Sequence, residues 1–302
     1  MLRGIGVILT SALIGVVALQ CPASAASGAS TAAGPGEALN PPIEAKYLAT
    51  GPDTVRTQTV NDSAGKAIYQ LYYPADLAGA RHPIVTWGNG TGAVPGVYDG
   101  LLRHLASWGY AVVATTDTTT GTGTTILNGA RYLVERDDDP ASVFHDRLDT
   151  HQIAAVGHSQ GASGVINAAT RSDGLITTVV PLGLPARWVQ EKAQLPIDVT
   201  KLRVPILYLG GSLDVITPPA GILDYYNETS QPSGYAILRL ADHFTEMGNG
   251  GRFRGYLTAW LDYQLRGDPH GASAFVGPSP EINTNLFWQD QREKHLSSPS
   301  DD

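Results

Sequence analysis

The chain has 302 residues, and 28 Asp and Glu outweigh 20 Lys and Arg to give a formal net charge of −8. No stripe of Lys or Arg breaks that acidic balance, which excludes nucleic acid as the expected partner. A single cysteine, Cys21, excludes a small disulfide-stapled scaffold, so stability must come from a core that roughly 250 ordered residues supply as one domain.

In chain order, the first segment reads as an export signal. Met1-Leu2-Arg3 gives a short basic start, residues 5–19 an apolar stretch, and Ala23-Ser24-Ala25 a small-residue cleavage site. Residues 1–25 are therefore expected to be a secretory signal peptide, with the mature start near Ala26 and the protein secreted. The apolar stretch is short for a membrane span, and Gln20 is too large before Cys21 for a lipid-anchoring signal, so no stable membrane insertion is expected. Cys21 leaves with the signal, and loss of Arg3 takes the mature charge to about −9. Residues 26–44 are Ala, Gly, Ser and Pro with little apolar periodicity, which predicts a disordered leader ahead of one domain over 45–296.

From there, short β-rich apolar runs alternate with helical patterns, the signature of an α/β fold. A mostly parallel central sheet of about eight strands, with helices on both faces, is expected. Residues 55–60 and 67–73 predict an antiparallel opening hairpin turning at Asn61-Asp62. The later strands fall at 83–87, 110–115, 153–156, 177–182, 205–209 and 235–240. Helices are expected over 97–108, 124–136, 160–170, 220–229 and 252–265; in the first of these, Leu101, Leu105 and Trp108 recur at helical spacing. The tail after Gly267 is rich in Pro and Gly, and 297–302 is expected to fray.

Chemistry concentrates at Gly157-His158-Ser159-Gln160-Gly161, which lies between the strand at 153–156 and the Ala-rich helix at 160–170. Gly-x-Ser-x-Gly on a strand-to-helix turn is a nucleophile elbow of the α/β-hydrolase fold. The turn strains the serine backbone, and glycine at both flanks relieves the crowding. A serine hydroxyl needs a histidine to take its proton, and the histidine needs an acid to fix its tautomer. On this fold the order is Ser, acid, His, each after a strand. Asp214 follows the strand at 205–209, and His243 follows the strand at 235–240. Asp242, beside His243, is the alternative acid, and His158 is expected to pack beside the site. His145, Asp146, Asp149 and His151 lack the helical spacing of a metal motif and read as a solvated loop. Asp137-Asp138-Asp139 reads as a charged loop or a weak calcium site, and no metal is expected in the chemistry.

An oxyanion hole needs two backbone N–H groups. Gln160 supplies one at the start of a helix. Gly88-Asn89-Gly90-Thr91-Gly92 supplies the other, with Gly90 expected and Thr91 the near alternative. The loop lacks the Lys-Ser/Thr or Gly-x-Gly-x-x-Gly pattern of a phosphate site.

These residues resemble the secreted cutinase and polyester hydrolase group, which includes the poly(ethylene terephthalate) hydrolases, and more distantly chlorophyllase- and dienelactone-hydrolase-like proteins. The likeness runs over about 83–280. It is carried by Gly90-Thr91-Gly92, by His104-Leu105-Ala106-Ser107-Trp108-Gly109-Tyr110 and Asp117-Thr118, and by the elbow. Leu213-Asp214-Val215-Ile216-Thr217-Pro218, Ala241-Asp242-His243-Phe244 and Ala259-Trp260-Leu261 continue it. The resemblance implies a carboxylic ester hydrolase with no cofactor and no large lid, binding its acyl chain in a shallow surface groove. By position it implies Ser159, Asp214 and His243 as the triad, Gly90 and Gln160 as the oxyanion pair, and Ile216 as a groove wall. Thr91 and Trp188 are further substrate-binding candidates. The expected partner is an ester or polyester substrate, acted on by a monomer. A lipase or acyltransferase on small or lipid esters is the alternative enzyme. A non-catalytic surface binder is the reading from another class, and it has no need of all three triad residues.

Overall fold

The computed structural model describes residues 41–299, in which nine strands form one sheet. They are β1 (Val55–Asn61), β2 (Ala67–Pro74), β3 (His82–Gly88), β4 (Ala111–Thr115), β5 (Leu148–His158), β6 (Thr178–Leu182), β7 (Ile206–Gly211), β8 (Ser233–Leu238) and β9 (Trp288–Lys294). Their spatial order is β1-β2-β4-β3-β5-β6-β7-β8-β9. The six strands from β4 to β8 pair in parallel, while β1, β2 and β9 join antiparallel at the edges. This is the α/β-hydrolase arrangement.

Why the central strands read as unbroken apolar runs follows from the two-residue period of a strand. Val85 and Trp87, Val112 and Ala114, Ala154 and Val156, and Leu207 and Leu209 are buried on one face. Ile84, Val113, Ile153, Ala155, Ile206 and Tyr208 are buried on the other. The first face is covered by α1 (Pro42–Leu48), α2 (Asp99–Ser107) and the long α7 (Phe253–Arg266), which contribute Tyr47, Leu101, Leu105, Tyr256 and Trp260. The second face is covered by α3 (Thr124–Asp138), α4 (Gln160–Ala169) and α6 (Pro219–Glu228), through Ile126, Leu133, Val165, Ile166 and Ile222. Among the described residues three further short α-helices follow: α5 (Arg187–Lys192), α8 (Pro269–Ala272) and α9 (Glu281–Thr284). Among the described residues no helix is long and apolar enough to cross a membrane.

Four local expectations are corrected. The leader was expected to run to residue 44, but α1 begins at Pro42. Glu281 accepts hydrogen bonds from the Ile43 and Glu44 amides at 2.6 and 2.7 Å. The Glu44 carboxylate, fully buried, accepts from Arg252, from Asn285 Nδ2 at 2.8 Å and from Trp288 Nε1 at 2.8 Å. These partners are more than 200 residues away, so composition does not reveal them. The hairpin turn spans residues 62–66 rather than Asn61-Asp62, because the Asp62 carboxylate accepts from the amides of Ala64 and Lys66. β5 starts at Leu148, so Asp149 and His151 lie in a strand that slips register against β3 between Pro83 and Ile84. The Ser297 carbonyl accepts from Tyr263 Oη, which ties down the start of the tail expected to fray. Strand β9 was missed altogether: it is an edge strand with only Trp288 fully buried, so it carries no apolar period. The signal segment, leader residues 26–40 and residues 300–302 lie outside the described residues.

Candidate active site

Ser159 sits between the end of β5 and the start of α4 with φ +56° and ψ −119°, a backbone conformation that L-residues rarely adopt. Its amide donates to the Leu182 carbonyl of β6 at 2.9 Å, which anchors the turn to the sheet. The flanking glycines are required by backbone as well as by the serine. A Cβ on Gly161 would lie 2.1 Å from the Gly88 carbonyl oxygen, and one on Gly157 would lie 2.5 Å from the Gly161 carbonyl oxygen. β3, β5 and α4 thus meet at three glycines, and the hydroxyl is left at the carboxyl end of the sheet.

Asp214 and His243 arrive on two loops that are stitched together. After β7, the Ser212 amide donates to the Leu238 carbonyl and the Leu213 amide to the Ala241 carbonyl, both within β8 and its following loop. In return, the Leu240 amide donates to Ser212 Oγ at 2.9 Å. The result brings His243 Nε2 to 3.0 Å from Ser159 Oγ and His243 Nδ1 to 2.7 Å from Asp214 Oδ2. A carboxylate can only accept, so Nδ1 carries the proton and Nε2 is free to accept from the serine hydroxyl.

The Asp214 carboxylate is well held. Oδ1 accepts from the amides of Ile216 at 2.8 Å and Thr217 at 2.7 Å, and Oδ2 also accepts from Thr217 Oγ1 at 2.5 Å. Burial opposes its ionisation, but the bonds from His243 and from the Thr217 side chain and backbone prevail and bring it down to about 2. It is therefore anionic wherever His243 acts as a base. Thr217 has the spacing of a turn partner three residues after an Asp, a signal present in the sequence but not used. Asp242, the alternative acid, instead accepts from the Phe244 amide and from Thr245 Oγ1 on the exposed side of its loop.

Behind the histidine lies a buried layer that sequence reasoning did not resolve. His158 packs with its ring 4.6 Å from that of His243, as a neighbour of the site. Tyr98 Oη lies 3.0 Å from His158 Nδ1 and accepts from the Gly90 amide at 3.0 Å. Burial, reinforced by His243 nearby, pushes His158 down to about 3, so it stays neutral. Glu246 is fully buried, and His158 Nε2 is its nearest cation-capable group at 3.9 Å. A Cβ on Gly183 would fall 3.6 Å from both Asp214 Oδ2 and Glu246 Oε1, so the two carboxyls flank that residue. Burial raises Glu246 well above the usual carboxylate range, with the charges of Asp214 and Asp242 adding to the effect. Of the two carboxyls it is the one whose surroundings favour the protonated form.

The oxyanion loop departs from expectation at one atom. The Gly90 amide, expected in the hole, is taken by Tyr98. The Gly92 amide is taken by the Thr118 carbonyl and that of Ala93 by the Gly90 carbonyl. The Thr91 amide donates to nothing among the described residues, and that of Gln160 at the first turn of α4 is likewise uncommitted. Asn89, fully buried, pins the loop by donating from Nδ2 to the carbonyls of Thr115 and Asp117.

The two loops that carry Asp214 and His243 expose large apolar side chains. Val215 is 88% exposed, Leu240 82% and Ile216 47%, with Leu213 and Phe244 also exposed. Trp188 projects from α5 and is exposed, and no ring contact or hydrogen bond joins it to Ser159 or His243. Asp137, in the triplet considered for calcium, is committed to Arg81 and to the amides of Arg147 and Leu148.

A sheet of this topology, with a serine at the turn after its central strand and a histidine and a buried aspartate brought to one end of the sheet, is that of an α/β-hydrolase. Within that class, the family model described as PETase, PET hydrolase-like, matches residues 29–294, and the chain belongs to that family of carboxylic ester hydrolases. Similar proteins include cutinase cut1 of Thermobifida fusca, 26% identical over 287 residues that cover 89% of this chain and 81% of the relative. Cutinase 2 of Thermobifida cellulosilytica is 28% identical over 195 residues, covering 60% of this chain and 67% of the relative. Bis(hydroxyethyl) terephthalate hydrolase of Streptomyces coelicolor is 27% identical over 271 residues, covering 86% and 82%.

Proposed function

We propose that this protein is an exported serine esterase that cleaves apolar carboxylic esters, including aliphatic esters and polyesters, through an acyl-enzyme on Ser159. The observation that carries the reading is the position of His243, within hydrogen-bond reach of Ser159 on one side and Asp214 on the other. Ser159 Oγ attacks the ester carbonyl carbon as its proton passes to His243 Nε2, and Asp214 stabilises the resulting imidazolium. The carbonyl electrons move onto oxygen, where the amides of Thr91 and Gln160 donate to the oxyanion. Collapse expels the alcohol, which takes the proton from His243. Water then gives a proton to the same nitrogen as its oxygen attacks the acyl carbon, and collapse breaks the bond to Ser159 Oγ, which takes the proton back from His243 as the acid leaves. No cofactor enters this cycle.

The exposed apolar side chains of Leu213, Val215, Ile216 and Phe244 on the loops that carry Asp214 and His243 favour an apolar acyl or polymer chain over a charged substrate. The cutinases and the terephthalate ester hydrolase among its relatives extend the reading to polyesters. The basic, apolar and small-residue order of residues 1–25 supports export. Ser159→Ala should lower kcat on p-nitrophenyl esters by on the order of 10⁶ and abolish labelling by a fluorophosphonate. Retention of wild-type turnover in that variant would refute the mechanism. Graded p-nitrophenyl esters, triglyceride emulsions and polyester films, assayed side by side, separate a polyester hydrolase from a lipase or acyltransferase.

A further inference from the structure

We propose that Tyr98 is a positioning residue for ester hydrolysis: its hydroxyl ties the oxyanion loop to His158, behind the nucleophile, and so aims the Thr91 amide at the reacting oxygen. The proposal rests on the esterase reading above and adds to it a residue that never touches substrate.

Proton accounting fixes the direction of the tie. An amide can only donate, so Tyr98 Oη is the acceptor toward Gly90 at 3.0 Å. The hydroxyl has one proton, and the remaining partner is His158 Nδ1 at 3.0 Å, which must therefore be the bare nitrogen. The His158 proton then lies on Nε2, on the side of Glu246. Burial keeps the phenol protonated, raising it to about 12, and keeps His158 neutral, so the tie survives at neutral pH.

The geometry of the loop gives this tie its consequence. Asn89 anchors one end through the carbonyls of Thr115 and Asp117, and the Gly92 amide anchors the other through Thr118. Between them, the Gly90 amide is turned inward by Tyr98, which leaves the amide of Thr91 uncommitted. Gly90 sits close against the site: a Cβ there would lie 3.0 Å from Tyr98 Oη and 3.5 Å from Ser159 Cβ. Removing the hydroxyl unpairs the Gly90 amide and His158 Nδ1 together, and a buried amide without a partner seeks another by rotating its peptide. Rotation of that peptide moves Thr91. A misplacement of about 1 Å in an oxyanion donor is sufficient to cost on the order of 10²-fold in rate. The ring itself packs on Trp87 at 4.9 Å between centroids, and phenylalanine preserves that contact.

The test is Tyr98→Phe, with active sites titrated by a fluorophosphonate so that rates refer to competent molecules. The expected result is a kcat per titrated site lowered by roughly 10- to 100-fold on a soluble ester, with KM changed less than about twofold. Affinity for a trifluoromethyl ketone, which forms an oxyanion on Ser159, should fall by the same factor. His158→Asn keeps an acceptor near the place of Nδ1, so it should retain about tenfold more activity per site than His158→Leu. Wild-type kcat per site in Tyr98→Phe, even with a lowered unfolding midpoint, overturns the positioning role, as does equal activity of the two His158 variants. A wild-type protein that neither labels nor turns over ester overturns the esterase reading itself, and the Tyr98 role with it.

Discussion

Nδ1 of His243 and Oδ2 of Asp214 lie 2.7 Å apart, although 29 residues separate them in the chain. The approach is built by parallel pairing of β7 with β8, which places both loops at one edge, and by the Ser212–Leu238 and Leu213–Ala241 bonds that lace the loops together. Three donors besides the histidine hold the carboxylate, so its orientation is set before substrate arrives.

Asp214→Asn should therefore lower kcat by about 10⁴-fold while leaving the fold intact, because an amide can present its N–H to Nδ1 and stabilise the wrong tautomer. Steady-state kinetics and circular dichroism check this directly. Asp242→Asn, on the solvent side of the same loop, should keep kcat within about twofold of wild type. A reversal of the two effects would move the acid to Asp242.

Between roughly pH 5 and 8, neither Asp214 nor His158 should contribute an acid limb to the pH profile of kcat/KM. A protonated His243 cannot accept from Ser159. Asp214 is held down at about 2 and His158 at about 3, so neither changes charge across that window. Two resolved acid limbs in that window would show that Asp214 or His158 changes charge there and would overturn this reading.

Glu246→Gln should stabilise the protein increasingly as pH rises. Burial, with the charges of Asp214 and Asp242, raises the folded-state affinity of Glu246 for its proton. Above the unfolded-state value of about 4.3 the unfolded chain releases this proton and the folded chain does not. The stability contributed by this group is thus fully present below that value and is lost toward the raised folded value, by about 1.4 kcal/mol per pH unit. Glutamine has no proton to lose. Urea unfolding at pH 5 and pH 8 should show the variant gaining on wild type between the two, and parallel behaviour would place the carboxyl in contact with water.

Gly161→Ala should destabilise the fold by about 3 kcal/mol or more, since its methyl group meets the Gly88 carbonyl at 2.1 Å, and backbone cannot rotate away as a side chain can. Thermal unfolding of the variant measures this. An unchanged midpoint would show that β3 and α4 can separate without cost.

The family, the fold and the order of Ser159, Asp214 and His243 were all legible in the chain, because strand period, glycine spacing and residue type are local properties. Trp87 and Ile84 are apolar neighbours whether or not the sheet is seen, and Gly-x-Ser-x-Gly announces its own turn. The edge strand β9 and helix α1 were not legible. β9 is half polar, and α1 is held by Glu44 reaching Arg252, Asn285 and Trp288 across the chain.

What only the tertiary structure decided is where hydrogen-bond donors point. From sequence, Gly90 and Thr91 are equivalent neighbours in a glycine-rich loop; folding brings Tyr98 back over Gly90 and commits one amide, leaving the other. Likewise nothing in the sequence marks Glu246, three residues after His243, and its full burial beside His158 depends on how the loop packs. A residue's chemistry is written in its side chain, but its direction and its access to water are properties of everything packed around it.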